Sequence, residues 1–417
     1  MSSAATANLP LTETLTPADQ AELLEIVRKC VAEGTAIYPL GGETSLDLGL
    51  PARTPGIGIS LTRLCRVIDY PAADMTITVE AGITMAALAE ILAAKNQRLP
   101  IDVPEADRAT LGGLIATNHS GPRRFGYGTL RDYVIGISAV DGHGTPFKAG
   151  GRVVKNVAGY DFCKLLTGSL GTLAVITQAT LKVRPLPEAQ AILVCDVPNF
   201  ARAEELLVAL ITSRTTPVAV ELLAGPAWRD DADFGPGSSD SAARVVVGFE
   251  GTKNEVEWLA GQLSAEWREQ GVASVRTVGE LSLTDAWRRL TDFSVAPSAP
   301  LVVKMNVLPS KVCELIPVIQ NFDQNVSIQA HAGNGIILAR FAKFSAADAG
   351  RLLIHRLQPA AVAAGGQAMV VSSAGADELT RQAIWGQARG ETAIMRAVKK
   401  QFDPQNLLNP GRFVYGT

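Results

Sequence analysis

The chain has 417 residues, of which 47% are apolar and 19% charged, with a formal net charge of −3. That length predicts two or three domains, and the apolar share is ample for packed cores. The slight acidity excludes the basic excess expected of a protein that grips nucleic acid or an anionic membrane surface.

In chain order, residues 1–16 read as a loose start. Thr16-Pro17-Ala18-Asp19 then predicts a helix with Thr16 as N-cap and Pro17 in its first position. Leu23, Leu24, Ile26, Val27 and Val31 give that helix an apolar face, and Gly34 ends it. A short strand over Thr35–Tyr38 runs into Pro39-Leu40-Gly41-Gly42-Glu43-Thr44-Ser45. The paired glycines are expected to take positive φ and bring backbone close to a ligand, with successive amides forming a nest for a diphosphate. An ordinary glycine-rich turn is the other reading of this stretch taken alone. Strands are predicted at Gly56–Ser60 and Thr76–Glu80, and a helix over Thr84–Asn96 capped by Thr84. Leu99–Pro104 is extended. A second small-residue region, Ala109–Gly121, reads as a short helix from Leu111 followed by a loop. Tyr133–Val140 is a strand, Asp141-Gly142 a hairpin turn, and Gly144–Lys148 its return. Gly168–Thr177 enters a strand ending at Val183, and Arg184-Pro185-Leu186-Pro187 breaks the pattern.

Beyond Pro187 the predicted order is strand Ala191–Val197, helix Asn199–Ser213, strands Val218–Leu223 and Arg244–Phe249, helix Glu255–Gln270 and strand Ala273–Val278. A connecting helix covers Leu283–Leu290. The order repeats with strand Leu301–Val307, helix Ser310–Asn321, strands Ser327–Ala332 and Gly335–Phe341, helix Ala346–Ala364 and strand Ala368–Ser372. Two βαββαβ (ferredoxin-like) units imply one antiparallel sheet with helices on one face. The expected fold is therefore α+β. Residues 1–187 form a first domain, 188–375 a second, and 376–417 a helix and tail returning to the first.

Five cysteines, Cys30, Cys65, Cys163, Cys195 and Cys313, are widely spaced with no C-x-x-C pair. The chain is not expected to hold an iron–sulfur cluster alone, and dispersed thiols fit a reducing cytoplasm. The first residues show no basic or apolar region of a secretory signal, and no segment reaches bilayer-spanning length.

Pro39–Ser45, Ala109–Gly121, Lys155–Tyr160, Gly168–Thr177 and the closing Asp403-Pro404 with Asn409-Pro410-Gly411-Arg412 together resemble the FAD-binding oxidoreductases of the vanillyl-alcohol oxidase / p-cresol methylhydroxylase (PCMH) type. Within that superfamily the chain looks most like the E subunits of glycolate oxidase. The resemblance implies a PCMH-type FAD-binding domain, a cap domain, and oxidation of a 2-hydroxy acid such as glycolate to glyoxylate; a stand-alone FAD-dependent 2-hydroxy-acid dehydrogenase and a non-catalytic FAD-binding assembly subunit are the alternative readings. It also implies two partners, a D-like catalytic flavoprotein and an F-like iron–sulfur subunit. The location implied is cytoplasmic, with peripheral attachment to a membrane through the complex.

Site residues follow from the same resemblance. Pro39, Leu40, Gly41, Gly42, Glu43, Thr44 and Ser45 would hold the FAD pyrophosphate. Thr110, Gly112, Gly113, Thr117, Ser120 and Gly121 would line the ribityl and pyrophosphate path, with Pro104 a further cofactor contact. Gly171, Val175 and Ile176 would bring backbone to the adenine and flavin edge. Asn409 and Arg412 would return to the isoalloxazine, where a cation stabilises charge that builds on reduction. Covalent members carry a histidine where this chain has Glu43, so FAD is expected to bind non-covalently. D-type relatives have two metal-binding histidines in a segment that here reads His331-Ala332-Gly333-Asn334-Gly335-Ile336-Ile337-Leu338. The second histidine falls on Leu338, and no metal site is expected. His331 could act as a base or be a packed remnant. Lys304 and Arg340 are the other candidates for substrate contact, against the plainer reading of sheet-surface charges.

Overall fold

A computed structural model describes residues 9–151, 159–229, 231–235, 237, 241–295, 299–343, 345–373, 378–388 and 390–416. Most of the expected Lys155–Tyr160 segment thus lies outside the described residues. The chain divides into two compact units. The first comprises the stretch ending at Ser120, Thr129–Leu186 and everything from Gln387; the second comprises Gly121–Gly128 and Pro187–Gly386.

The first unit opens with a strand, β1 (Leu11–Leu15), where the sequence suggested a loose start. β1 lies parallel to β3 (Gly56–Ser60), which is parallel on its other side to β2 (Ala36–Leu40). The intervening helix is Gln20–Glu33, and its N-cap is Asp19, not Thr16: the carboxylate takes the N–H groups of Ala21 and Glu22. An acceptor there satisfies two of the four amides a helix start leaves unpaired. Gly34 ends the helix at φ 67°.

Strands β4 (Val67–Asp69), β5 (Thr76–Glu80), β6 (Gln97–Arg98), β7 (Val134–Asp141), β8 (Pro146–Gly150), β9 (Ala174–Lys182) and β10 (Arg184–Pro185) complete this unit. Five of them form an antiparallel sheet in the order β4-β5-β9-β7-β8. Ile77, Val79, Ile137, Ala179 and Leu181 from that sheet pack with Leu88, Leu92, Leu111 and Ile115. Removing this apolar surface from water drives the layer together.

The C-terminal segment is built into the same unit. Ile37 donates to the Leu407 carbonyl at 2.7 Å and accepts from Asn409 N at 2.9 Å, so residues 407–409 run beside β2. The anchor is a buried ion pair. Lys399 Nζ reaches Asp403 at 2.5 Å and the carbonyls of Thr172 and Leu408, while Asp403 accepts from the amides of Leu407 and Leu408.

The second unit is one antiparallel sheet of eight strands: β11 (Ala189–Val197), β12 (Ala219–Ala224), β13 (Ala243–Gly251), β14 (Arg276–Thr277), β15 (Leu301–Asn306), β16 (Ser327–His331), β17 (Ile336–Phe341) and β18 (Gln367–Ser373). Their order is β14-β11-β13-β12-β16-β17-β15-β18, so the two halves join where β12 pairs with β16. The helix expected over Ala346–Ala364 is interrupted by a π-helical turn, Leu353–Leu357, just before Pro359. Proline has no N–H for the carbonyl four residues back, and a wider turn accommodates it.

Residues 121–128 belong to this unit and not to the first, as a cut at Pro187 would have it. Gly126 N donates to the Val218 carbonyl at 3.0 Å. Arg123 pairs with the fully buried Glu250 at 2.6 Å and its guanidinium lies 3.7 Å from the centre of the Trp287 ring. Helix Arg381–Trp385 also belongs here, held by Gln358 Nε2 on the carbonyls of Gln382 and Ala383. Among the described residues no helix is long and apolar enough to cross a membrane.

Candidate functional site

In the first unit the loop after β2 is shaped by lack of room. A Cβ on Gly41 would lie 2.1 Å from Thr110 Oγ1, and one on Gly42 would lie 1.7 Å from the Arg108 carbonyl oxygen. Neither glycine has positive φ; Glu43 does, at 56°. The glycines therefore let two chain segments touch, and the left-handed residue is the glutamate, contrary to the sequence expectation. Among the described residues no N–H from Gly42 to Ser45 has an intramolecular acceptor. Four successive free amides form an anion nest. Pro39 and Leu40 end β2, with Leu40 buried beneath the loop.

The facing wall comes from residues 104–121. Pro104 is buried at the head of a turn in which Glu105 takes φ 50°, and Arg108 from that turn donates to the Gly42 carbonyl at 3.2 Å. Thr110 caps helix Leu111–Thr117. Gly112 is buried: its N–H goes to the Ala81 carbonyl at 2.7 Å and a Cβ would sit 2.9 Å from Ala81 Cβ. It is a packing glycine, which corrects its assignment to the ligand path. Gly113 is exposed, and a Cβ there would meet only Thr110 Oγ1, at 3.3 Å. Thr117 Oγ1 donates back to the Gly113 carbonyl. Ser120 closes this stretch of the first unit, and Gly121 falls in the second.

Gly171 has φ 65° and lies against Pro39 and Asn409. Val175 and Ile176 bury their side chains in two separate cores. Pairing between β5 and β9 stops at Gln178, so one backbone edge of Val175 and Ile176 lies outside that ladder. Asn409 Nδ2 donates to the Leu170 carbonyl at 2.7 Å. Arg412 is buried, and its guanidinium donates to the carbonyls of Leu46, Leu48 and Leu50. Through Nε and one Nη it clamps the chain that follows the glycine loop. Burial holds its pKa below the usual arginine value, with Tyr38 and Asp47 acting against that.

The first unit fits FAD on observations of its own. The nest from Gly42 to Ser45 offers donors for a diphosphate, and two buried acceptors, Asn118 Oδ1 and Ser169 Oγ, have no hydrogen-bond partner. Ligand donors would satisfy them.

The second unit carries the other candidates on one face of its sheet. Directly paired residues share a face. One row is Glu221, His331, Ile336 and Asn306; the next is Leu223, Gln329, Leu338 and Lys304. His331 Nδ1 lies 2.8 Å and 2.9 Å from the two oxygens of Glu221, and Gln329 Nε2 donates to the same carboxylate at 2.7 Å. Glu221 and Gln329 are 0% exposed and His331 is 2% exposed. Lys304 makes no hydrogen bond or ion pair with the described residues. Burial, with Arg124 adding to it, pushes its pKa down to about 8. It remains mostly charged at neutral pH and can take a carboxylate. Leu338 is buried in the apolar cluster with Trp228, Trp287 and Phe293. Arg340 donates through one nitrogen to the carbonyls of Asp292 and Val295 and stacks 4.2 Å from the centre of Phe293. Burial pushes its pKa down to about 10. That nitrogen clamps the chain around residues 292–295, while Nε is buried without a partner.

Sequence reasoning missed Glu221, Gln329, Asn118 and Ser169. For Glu221 a signal was present: it is the lone charge in the strand Ala219-Val220-Glu221-Leu222-Leu223-Ala224.

A phosphate-receiving first unit and an antiparallel-sheet second unit define a two-domain cofactor-dependent enzyme. Residues 13–150 match the FAD binding domain model, and residues 186–413 match the model of the FAD linked oxidases, C-terminal domain. The chain belongs to the FAD linked oxidases and is an FAD-dependent oxidoreductase. It is 28% identical to a D-2-hydroxyglutarate dehydrogenase of Xanthomonas citri pv. viticola, over 95% of this chain and 88% of the relative. It is 29% identical to glycolate oxidase subunit GlcE of Escherichia coli, over 67% of this chain and 74% of the relative. The solved structure of an alkyldihydroxyacetonephosphate synthase superposes with a TM-score of 0.70 at 20% identity, covering 95% of this chain and 75% of that one. This last likeness concerns the fold.

Proposed function

We propose that the chain is the FAD-binding subunit of a glycolate-oxidising assembly, taking glycolate or a close 2-hydroxy acid to the 2-oxo acid. A D-like flavoprotein and an F-like iron–sulfur subunit would complete it and carry the electrons onward. The names of the relatives support the substrate class, and the GlcE likeness supports the subunit role. The observation that carries the reading is the row pair in the second unit. Lys304 is a cation lacking a carboxylate, on the same sheet face as a carboxylate-bound imidazole two strands away, and together they match an acid that bears a hydroxyl. Gly42–Ser45, Gly113, Asn118 and Ser169 would hold FAD non-covalently. When bound, FAD supplies the two-electron oxidant that takes the α-hydrogen with its bonding pair. Lys304 would orient the substrate carboxylate, and His331 would receive the hydroxyl proton.

The intact His331–Glu221 pair favours a second reading, a stand-alone dehydrogenase. Purified chain separates the two. Its absorption spectrum should show flavin, released to the supernatant by acid precipitation. Dye reduction with glycolate, D-lactate or D-2-hydroxyglutarate should require the partner subunits. Turnover by the chain alone would end the subunit reading in favour of the second, and a colourless chain would end both.

A further inference from the structure

We propose that Glu221 is a positioning residue that fixes the proton of His331 on Nδ1, so that Nε2 is presented as the acceptor for a substrate hydroxyl proton. This rests on the reading of the second unit given above. Glu221 sits mid-strand, with both neighbours, Val220 and Leu222, buried apolar residues. A carboxylate so placed is costly unless hydrogen-bonded on several sides. Its donors are Gln329 Nε2 and His331 Nδ1. With Glu221 ionised its carboxylate only accepts, and Nδ1 then carries the hydrogen whether the ring is neutral or charged.

The rest of the cluster points to a ligand. Here Gln329 gives its N–H to Glu221 and leaves Oε1 without a donor, and Asn334 Oδ1, three residues past His331, is likewise without one. His331 Nε2 also has no partner among the described residues. Three acceptors in one cluster can take a hydrogen from a molecule that brings one, and a hydroxyl does so. In the step itself the O–H bond breaks, its electron pair stays on oxygen and the proton forms the Nε2–H bond. The resulting imidazolium faces the Glu221 carboxylate, so the pair ends with no net charge.

The test is nitrogen NMR of the intact chain labelled with 15N-histidine. Only four histidines are present, and His331→Gln identifies the signals of one. A protonated Nδ1 and a bare Nε2 are expected for the neutral ring, and Glu221→Gln should let the proton redistribute. An Nε2–H ring in the unaltered chain overturns the proposal, and this spectrum decides even where Glu221→Gln fails to fold. In the assembled complex Glu221→Gln should lower kcat about a hundredfold with KM little changed. Unchanged kcat with an unchanged tautomer overturns it. Absence of any 2-hydroxy-acid turnover in the unaltered complex counts against the proposed function instead, while the tautomer still reports on Glu221.

Discussion

Lys304 is the residue whose environment makes the most definite prediction. Its pKa is about 8 in the folded chain against an ordinary 10.5. Below about pH 8 both folded and unfolded chains carry the proton, and the full penalty of the buried charge is present. Between about 8 and 10.5 the folded chain sheds the proton first, so this residue's contribution to stability rises with pH across that window. Lys304→Met should therefore raise the melting temperature at pH 7, with the gain shrinking as pH approaches the upper end. The same change should raise KM for a 2-hydroxy acid, because the cation that meets the carboxylate is gone. Thermal scans at three pH values together with steady-state rates check both halves. Equal stability at pH 7 would show that Lys304 bears no burial penalty.

At the scale of elements, two glycines separate chain packing from ligand approach. Gly42→Ala must displace the Arg108 carbonyl, since the added carbon would lie 1.7 Å from it. FAD affinity should fall about tenfold or more, ~1.4 kcal/mol, with a drop in stability of the flavin-free chain. Gly113 is helical and has open space beyond Thr110. Gly113→Ala should stabilise the flavin-free chain by about 0.5–1 kcal/mol yet weaken FAD where the cofactor passes over the helix. Calorimetric melting and flavin titration on both variants read the opposite signs. The C-terminal anchor gives a third case. Asp403→Ala leaves Lys399 buried without its carboxylate and strips the acceptor from two amides. The expected loss is about 3–5 kcal/mol in urea unfolding.

For the whole molecule, the order of elements was legible because alternation and helical periodicity are local signals. Thr84 capped its helix as expected, and the strand–helix order of the second unit follows from the pattern. What escaped depends on partners far away in sequence. Glu221 meets His331 across 110 positions, and Arg412 meets Leu48 across 364. Charge type told that His331 and Arg412 could bind something, but only the fold says whether that partner is the chain itself. The glycine loop shows the same limit: close approach was readable in Gly41 and Gly42, but the neighbour turned out to be residues 108–110.

The membership of residues 121–128 has a consequence for how such a protein can be cut and exchanged. The polypeptide passes from one unit to the other at 120/121, 128/129, 186/187 and 386/387. No single break yields both units whole. A swap of residues 187–386 with a relative would take Glu250 away with this chain's sheet and leave Arg123 without its buried carboxylate. Homologous recombination at that junction is thus expected to succeed only when the eight-residue strap travels with the sheet. A chimera carrying both pieces should accumulate as soluble protein where one carrying the sheet alone does not.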